Sequence, residues 1–302
     1  MGTINSKRLL ERFEAHLTGT ALAPATVVNY VADLRAFLRW SEETNQADGS
    51  PFGLDTRGVQ EYCSFLQETR SHAPATINRR IQALRKFYGF ALSEGWALTN
   101  PAEGVSLLSE SASQRSRHLS PADISRLLEA VQRGRPRWVA RNLAIIHVFL
   151  GAGLKLGELT ELRLSDVHLD EQQLFLDVHS DPDGPTRLVP LEGEARQALD
   201  EYLLVREAAP GVEHVFVNRD GNPLSTRSVQ RLLRHYAREA KLDGLTTQAL
   251  RYVYARKLYE SSGDLDRVTQ LLGHRHTATT VRYLRPSPTQ RQKNQTDNSA
   301  EL

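Results

Sequence analysis

A chain of 302 residues, 40% hydrophobic and 25% charged, has room for two folded domains of ordinary globular composition. It holds no run of eighteen apolar residues, and its first segment, MGTINSKRLLERFEAHL, is polar and periodic, so neither a membrane span nor a secretory signal is expected. The single cysteine, Cys63, excludes an internal disulfide and a cysteine-based zinc site and suits a reducing cytoplasm, while a net charge of +2 points to no partner until the basic residues are placed.

Four helices are predicted before residue 97. Residues 6–17 carry Leu9, Leu10, Phe13 and Leu17 on a helical stripe, and helices follow at 24–44, 56–69 and 74–94. The second and fourth open alike: Ala23-Pro24-Ala25-Thr26 recurs as Ala73-Pro74-Ala75-Thr76, and Leu34, Arg35 and Phe37 recur as Leu84, Arg85 and Phe87, fifty residues on. Proline in the first turn is a helix-start signal, and two copies predict a compact pair of similar hairpins rather than a solenoid. The fourth helix holds Arg79, Arg80, Arg85 and Lys86 without an acid between residues 76 and 90. Such a face suits phosphate-backbone contact and equally a solvated surface.

Asn100-Pro101 stops this helical region, and the polar run SLLSESASQRSR at 106–117 has the composition of a linker. The expected division is a helical domain at 1–105, a linker at 106–118, a second domain at 119–286 and a polar tail at 287–302. In the second domain Ser120-Pro121 opens a helix to about residue 132, and a strongly apolar helix is predicted at 142–154. Leu174–Val178 and Arg187–Leu191 read as strands around the turn Asp181-Pro182-Asp183-Gly184-Pro185. A helix is predicted at 193–206, a short strand at Val215-Phe216-Val217, and a helix at 225–240. That last helix places Arg227, Arg231, Arg234 and Arg238 at steps of four, three and four, on one face. Four aligned cations repel one another, so an anion along the stripe is favoured over a solvated face.

Three short stretches carry a resemblance. They are Gly153-Leu154-Lys155-Leu156-Gly157-Glu158-Leu159 with Leu162, Leu164 and Asp166; Arg187-Leu188-Val189-Pro190-Leu191; and Leu250-Arg251 with Leu271-Leu272-Gly273-His274 and Thr279-Thr280-Val281-Arg282-Tyr283. In this order and spacing the chain resembles the tyrosine recombinases, the phage-integrase and Xer-like family, over nearly its whole length. The resemblance implies a mostly α fold with a small β-sheet: a helical, SAM-like core-binding domain, then a mixed α/β catalytic-type domain, closing as a C-shaped clamp on double-stranded DNA. It implies site-specific strand exchange through a 3′-phosphotyrosyl bond, with no metal, no nucleotide cofactor and no small-molecule substrate. Two arginines steady the developing charge, a hairpin lysine protonates the leaving oxygen, and two further positions handle protons.

Matched position by position, Tyr283 is the expected nucleophile, Arg251 the second arginine, and His274 the residue at the His/Trp position. Lys155 stands where the family has its first arginine, and Gln248 where it has a histidine. No lysine occurs between Lys155 and Lys241; only His179 and Arg187 are cations near the hairpin. With 32 Arg against 6 Lys in the chain, Lys155 also runs against the composition, and it is a candidate for supplying the acid the hairpin lacks. These departures leave two expectations open: a recombinase with impaired cleavage through Tyr283, or a DNA-binding relative that cuts little or not at all and acts as a regulator, architectural factor or passive partner. The place of action is expected to be the cytoplasmic nucleoid. The tail at 287–302 holds almost no apolar residue, which predicts disorder or weak docking on any neighbouring copy.

Overall fold

A computed structural model describes residues 6–44, 50–109, 119–169, 174–179 and 186–284. The hairpin turn at 181–185 and the polar tail lie outside the described residues, as does most of the linker. The chain divides into two compact units, Met1–Ser113 and Gln114–Leu302.

The first unit is helical: α1 (Ser6–Thr18), α2 (Pro24–Glu43), α3 (Thr56–Ser64) and α4 (Pro74–Ser93). The repeated Ala-Pro openings adopt one geometry, with Ala23 at φ −62, ψ 143 and Ala73 at φ −63, ψ 147. Proline fixes its own φ and pushes its predecessor into extended backbone, so both helices start at the proline. Their apolar faces meet in an aromatic core in which Phe13, Phe37, Tyr62, Phe87 and Tyr88 are almost wholly buried. Phe13 meets Phe87 edge-on with ring centroids 5.6 Å apart, an arrangement the ring quadrupoles favour. The predicted helix at 56–69 is α3 with a final π-helical turn, Phe65–Thr69.

The second unit is built around α6 (Pro136–Ala152), which buries Ile145, Ile146, Val148 and Phe149 completely. A helix apolar on most sides belongs inside. It starts six residues before the apolar run because Pro136 again sets the first turn. Preceding it is α5 (Pro121–Gln132), capped as expected by Ser120, with Asp123 completing a capping box. After it come α7 (Leu156–Glu161), an antiparallel sheet and α8 (Gly193–Leu204). The sheet runs β1 (Val167–Leu169), β2 (Leu174–His179), β3 (Thr186–Leu191), with Leu176 opposite Val189 and His179 opposite Thr186. Its three-residue β1 was too short to show an alternation.

The strand predicted at Val215–Val217 is corrected. The segment makes only single bridges, Arg163 to His214 and Val217 to Pro223, so no ladder forms. It is held instead by Tyr202, whose hydroxyl donates to Val215 O at 3.1 Å and accepts from Val217 N at 3.2 Å. Its hydrophobicity reflects burial, since Phe216 is fully enclosed. The unit ends with α9 (Thr226–Glu239), α10 (Thr247–Ser262), α11 (Leu265–Leu272) and α12 (Thr277–Leu284).

Candidate active site

Gly153 sets the site's geometry. It ends α6 in the left-handed conformation, φ 58, and a Cβ there would lie 2.2 Å from Tyr254 Cδ1. Only glycine permits this approach. The end of α6 therefore rests on α10, and Gly153 O accepts from Arg251 Nη1 at 2.6 Å. Arg251 is 3% exposed. Its Nη2 donates to Leu272 O at 2.5 Å and to His274 Nε2 at 3.2 Å, while its buried Nε has no partner among the described residues. Burial lowers its pKa from the ordinary arginine value, partly countered by Glu158.

Past Gly153, Lys155 is the N-cap of α7 and its backbone N–H donates to Glu158 Oε2 at 2.7 Å. The buried Glu158 carboxylate gathers three cations. Arg187 grips it with two hydrogen bonds of 3.0 and 2.6 Å, Lys155 Nζ lies 3.4 Å away and Arg251 Nη1 3.8 Å. Burial by itself raises the Glu158 pKa, but the Arg187 hydrogen bonds and charge outweigh it and leave the carboxyl below its ordinary value. Such a bidentate pair is the strong form of the interaction. The Lys155 side chain is 46% exposed, so its ammonium stays open to a ligand.

Arg187 reaches this point by strand alternation. In β3 the buried Val189 and Leu191 share its face. Its Nε donates to Leu271 O at 2.9 Å, and its guanidinium fills the space beside Gly273, where a Cβ would lie 2.8 Å from Nη1. His179 pairs across from Thr186, on the opposite face of the sheet. There its ring contacts Thr186 Oγ1 at 3.1 Å and Asp166 at 3.7 Å. Of the two cations near the hairpin, Arg187 alone faces the site.

Gly273, at φ 64, caps α11 and turns the chain so that His274 follows directly. Because Arg251 donates to Nε2, the imidazole carries its proton on Nδ1 and donates to Thr280 Oγ1 at 2.9 Å. Burial, then the charges of Arg251, Lys155 and Arg187, bring the His274 pKa down to about 4, so the ring is neutral near pH 7.

On α10, Gln248, Arg251 and Tyr252 fall at i, i+3 and i+4 and share a face. Gln248 Nε2 donates to Tyr283 Oη at 3.2 Å. The half-buried Tyr283 ring lies 4.9 Å from that of His274 and 4.1 Å from that of Tyr252. The five expected residues thus come together from α7, α10, α11 and α12. Sequence reasoning missed Glu158, Tyr252 and Thr280 as members of the site. The helical spacing of Tyr252 from Gln248 was a usable signal; the inward turn of Glu158 and Thr280 was not visible.

The two basic helices part company. On α4, Arg79 and Arg80 both face the buried Asp33 of α2, and Arg80 also donates to Tyr62 Oη at 3.0 Å. Burial raises the Asp33 pKa, and the two arginines partly offset this. Arg85 donates to Ala102 O and Val105 O at 3.1 and 2.8 Å, tying down the segment after the helix. The helix itself is acid-free, but Arg79 and Arg80 find their acid on α2 and Arg85 lies 4.0 Å from Glu103, so all three guanidinium groups also hold the unit together. Lys86 remains exposed. On α9, Arg227, Arg231, Arg234 and Arg238 are all exposed, opposite the buried Val229, Leu233, Tyr236 and Ala237. Arg234 donates from Nε to the backbone one turn back, Gln230 O at 3.3 Å.

Among the described residues no three His, Cys, Asp or Glu side chains converge as a metal site, and no helix is long and apolar enough to cross a membrane. Residues 117–290 match the family model described as the phage integrase family, and residues 9–98 match the phage integrase N-terminal SAM-like domain. The chain is 30% identical over 269 residues to tyrosine recombinase XerD of Lacticaseibacillus casei, covering 87% of this chain and 88% of that protein. It is 31% identical over 286 residues to tyrosine recombinase XerC of Alcanivorax borkumensis, covering 92% and 89%. Among solved structures it is similar to XerH site-specific recombinase bound to a palindromic difH substrate, with a TM-score of 0.75 at 20% identity over 99% of this chain and 84% of that one. It is also similar to the Tn1549 transposon integrase in complex with a circular intermediate DNA, with a TM-score of 0.77 at 16% identity over 98% and 99%. At these identities the structural likeness shows the fold: an N-terminal SAM-like unit and a C-terminal unit of the catalytic type.

Proposed function

This chain belongs to the phage integrase family, the tyrosine recombinases, and from that premise we propose that it recognises a double-stranded DNA site and exchanges strands there through a covalent link to Tyr283. The observation that carries the proposal is the convergence of Tyr283, His274 and Arg251, with the Lys155 ammonium beside the same carboxylate that Arg251 approaches. On this reading the Tyr283 oxygen attacks a phosphodiester, the bond from phosphorus to the 5′-oxygen breaks, and a 3′-phosphotyrosyl ester forms. The phenol gives up its proton and the 5′-oxygen takes one. One ester replaces another, so rejoining needs no outside energy source.

Arg251 and Lys155 carry the charge that builds on the nonbridging oxygens. Arg251 offers a planar fork, Lys155 a single point of charge. The open Nε of Arg251 supports a phosphate here, since a buried unsatisfied donor costs about 1–3 kcal/mol and an anionic oxygen would satisfy it. The α9 stripe, Arg227, Arg231, Arg234 and Arg238, supplies backbone contacts to the duplex, joined by Lys86 of the helical domain. We assign that domain to 1–105, the linker to 106–118, the catalytic-type domain to 119–286 and the tail to 287–302. Copies assemble on the DNA site in the cytoplasmic nucleoid.

Three features make the cleavage slow. Lys155 lacks the fork. Gln248 holds the Tyr283 oxygen but cannot take its proton, and the hairpin brings no lysine to the leaving oxygen. A lost oxyanion donor costs roughly 10²–10³ in rate and a lost acid or base roughly 10²–10⁴, though such losses do not add. The second reading, a relative that binds and organises DNA without cutting, is favoured by the same Gln248 contact, because the amide N–H that meets the Tyr283 oxygen can hold it but provides no base to take its proton.

A duplex nicked so that the cleaved end diffuses away separates the two. The expected result is a slowly accumulating adduct from wild type and none from Tyr283→Phe at equal DNA affinity. Binding with no adduct from wild type establishes the second reading.

A further inference from the structure

Tyr252 lies one turn after Gln248 on α10, and the chemistry above gives it no task. Its ring centroid is 4.1 Å from that of Tyr283, with the planes at 56°. Gln248 Nε2 reaches both hydroxyls, 3.4 Å to Tyr252 and 3.2 Å to Tyr283. A primary amide has two N–H bonds, so one side chain serves both phenols. Tyr283 itself sits on an eight-residue helix and packs half-buried against a small cluster, Tyr254, Ala255, Val268 and Leu272. So short an element leaves the direction of the phenol to its immediate neighbours, the rings of Tyr252 and His274 and the side chains of Gln248 and Arg251 that hydrogen-bond it.

We propose that Tyr252 is a positioning residue for Tyr283. Its ring sets the line along which the Tyr283 oxygen approaches phosphorus, and its hydroxyl fixes the rotamer of Gln248, which in turn holds the Tyr283 oxygen. The proposal rests on cleavage through Tyr283. Its physical basis is the steep dependence of such reactions on geometry, where a displacement of about 1 Å costs on the order of 10²-fold.

Adduct formation on the nicked duplex is measured for wild type, Tyr252→Phe and Tyr252→Leu, together with the Kd for the intact duplex. Tyr252→Phe keeps the ring and loses the hydroxyl bond; it is expected to slow adduct formation about 3–10-fold, the worth of one hydrogen bond. Tyr252→Leu loses both and is expected to slow it about 10²-fold, with Kd unchanged for both variants. A second readout does not depend on cleavage. In protein labelled with fluorotyrosine, the Tyr283 fluorine signal, identified by its loss in Tyr283→Phe, is expected to move in Tyr252→Phe and to stay in place in the exposed control Tyr259→Phe. An unmoved Tyr283 signal overturns the proposal, and so does a wild-type adduct rate in Tyr252→Leu. An adduct that survives Tyr283→Phe and vanishes in the double variant also overturns it, by making Tyr252 a nucleophile. Should wild type form no adduct at all, the cleavage reading fails while the fluorine signal still decides the positioning.

Discussion

At Lys155 the charge expected of an arginine is present without its shape. The ammonium is half-exposed beside Glu158, placed to offer one hydrogen bond where a guanidinium offers two. If its role is charge alone, Lys155→Arg is expected to raise the rate of adduct formation on nicked DNA by about tenfold, a fraction of what a full oxyanion donor is worth. A fall instead identifies Lys155 as the acid that the hairpin lacks. His274 makes a separate prediction, about pH. Its pKa is lowered from an ordinary 6.5 to about 4 by burial and the surrounding cations, so the unfolded chain binds this proton before the folded one does. Stability should therefore be full above about pH 6.5 and decline as the pH falls towards 4. His274→Asn should flatten urea-denaturation midpoints across that window. Glu158, whose pKa is lowered from 4.5, adds its own loss only below that value, so the two windows are distinguishable.

Between elements, the contrast of α4 with α9 shows what a cation count leaves out. Both helices read as basic, yet Arg79 and Arg80 answer a buried carboxylate while the α9 arginines face outward. Arg79→Gln is expected to lower the thermal midpoint, because Asp33 loses one of two counter-charges, and to leave the salt dependence of DNA binding unchanged. Arg231→Gln with Arg234→Gln should do the reverse: little effect on stability, weaker binding to any duplex, and a slope of log K against log salt reduced by about one for each lost phosphate contact. Measuring both variants by calorimetry and by salt titration tests the assignment of the two faces.

For the molecule as a whole, the catalytic-type unit assembles its centre around one carboxylate. Glu158 binds the start of α7 to β3 and approaches α10, and Arg251 carries the connection on to Leu272 and His274. Glu158→Gln is expected to destabilise the protein by about 3–5 kcal/mol, the usual cost of leaving a buried partner charge uncompensated. It should also abolish adduct formation at temperatures where the fold survives, since Lys155 and Arg187 would both lose their anchor. Urea unfolding followed by the adduct assay on the folded variant checks both parts.

Periodicity and punctuation in the chain determined the α1 to α4 bundle, the proline-set helix starts and the β2–β3 hairpin. Each depends on local rules: 3.6- and 2-residue repeats and a ring that fixes φ. The resemblance to the tyrosine recombinases, carried by short stretches in a set order, gave the family and marked Tyr283, Arg251, His274, Lys155 and Gln248 as candidates, because their identities and spacing survive in one dimension. Tertiary structure alone decided which charges are already matched. Asp33 lies on α2, far in sequence from Arg79, and Glu158 reaches Arg187 across 29 residues, so neither pairing leaves a periodic trace. The burial that holds His274 neutral and the ring of Tyr252 against Tyr283 belong to the same class. They arise from packing between helices, whose energy depends on distance through space and not on separation along the chain.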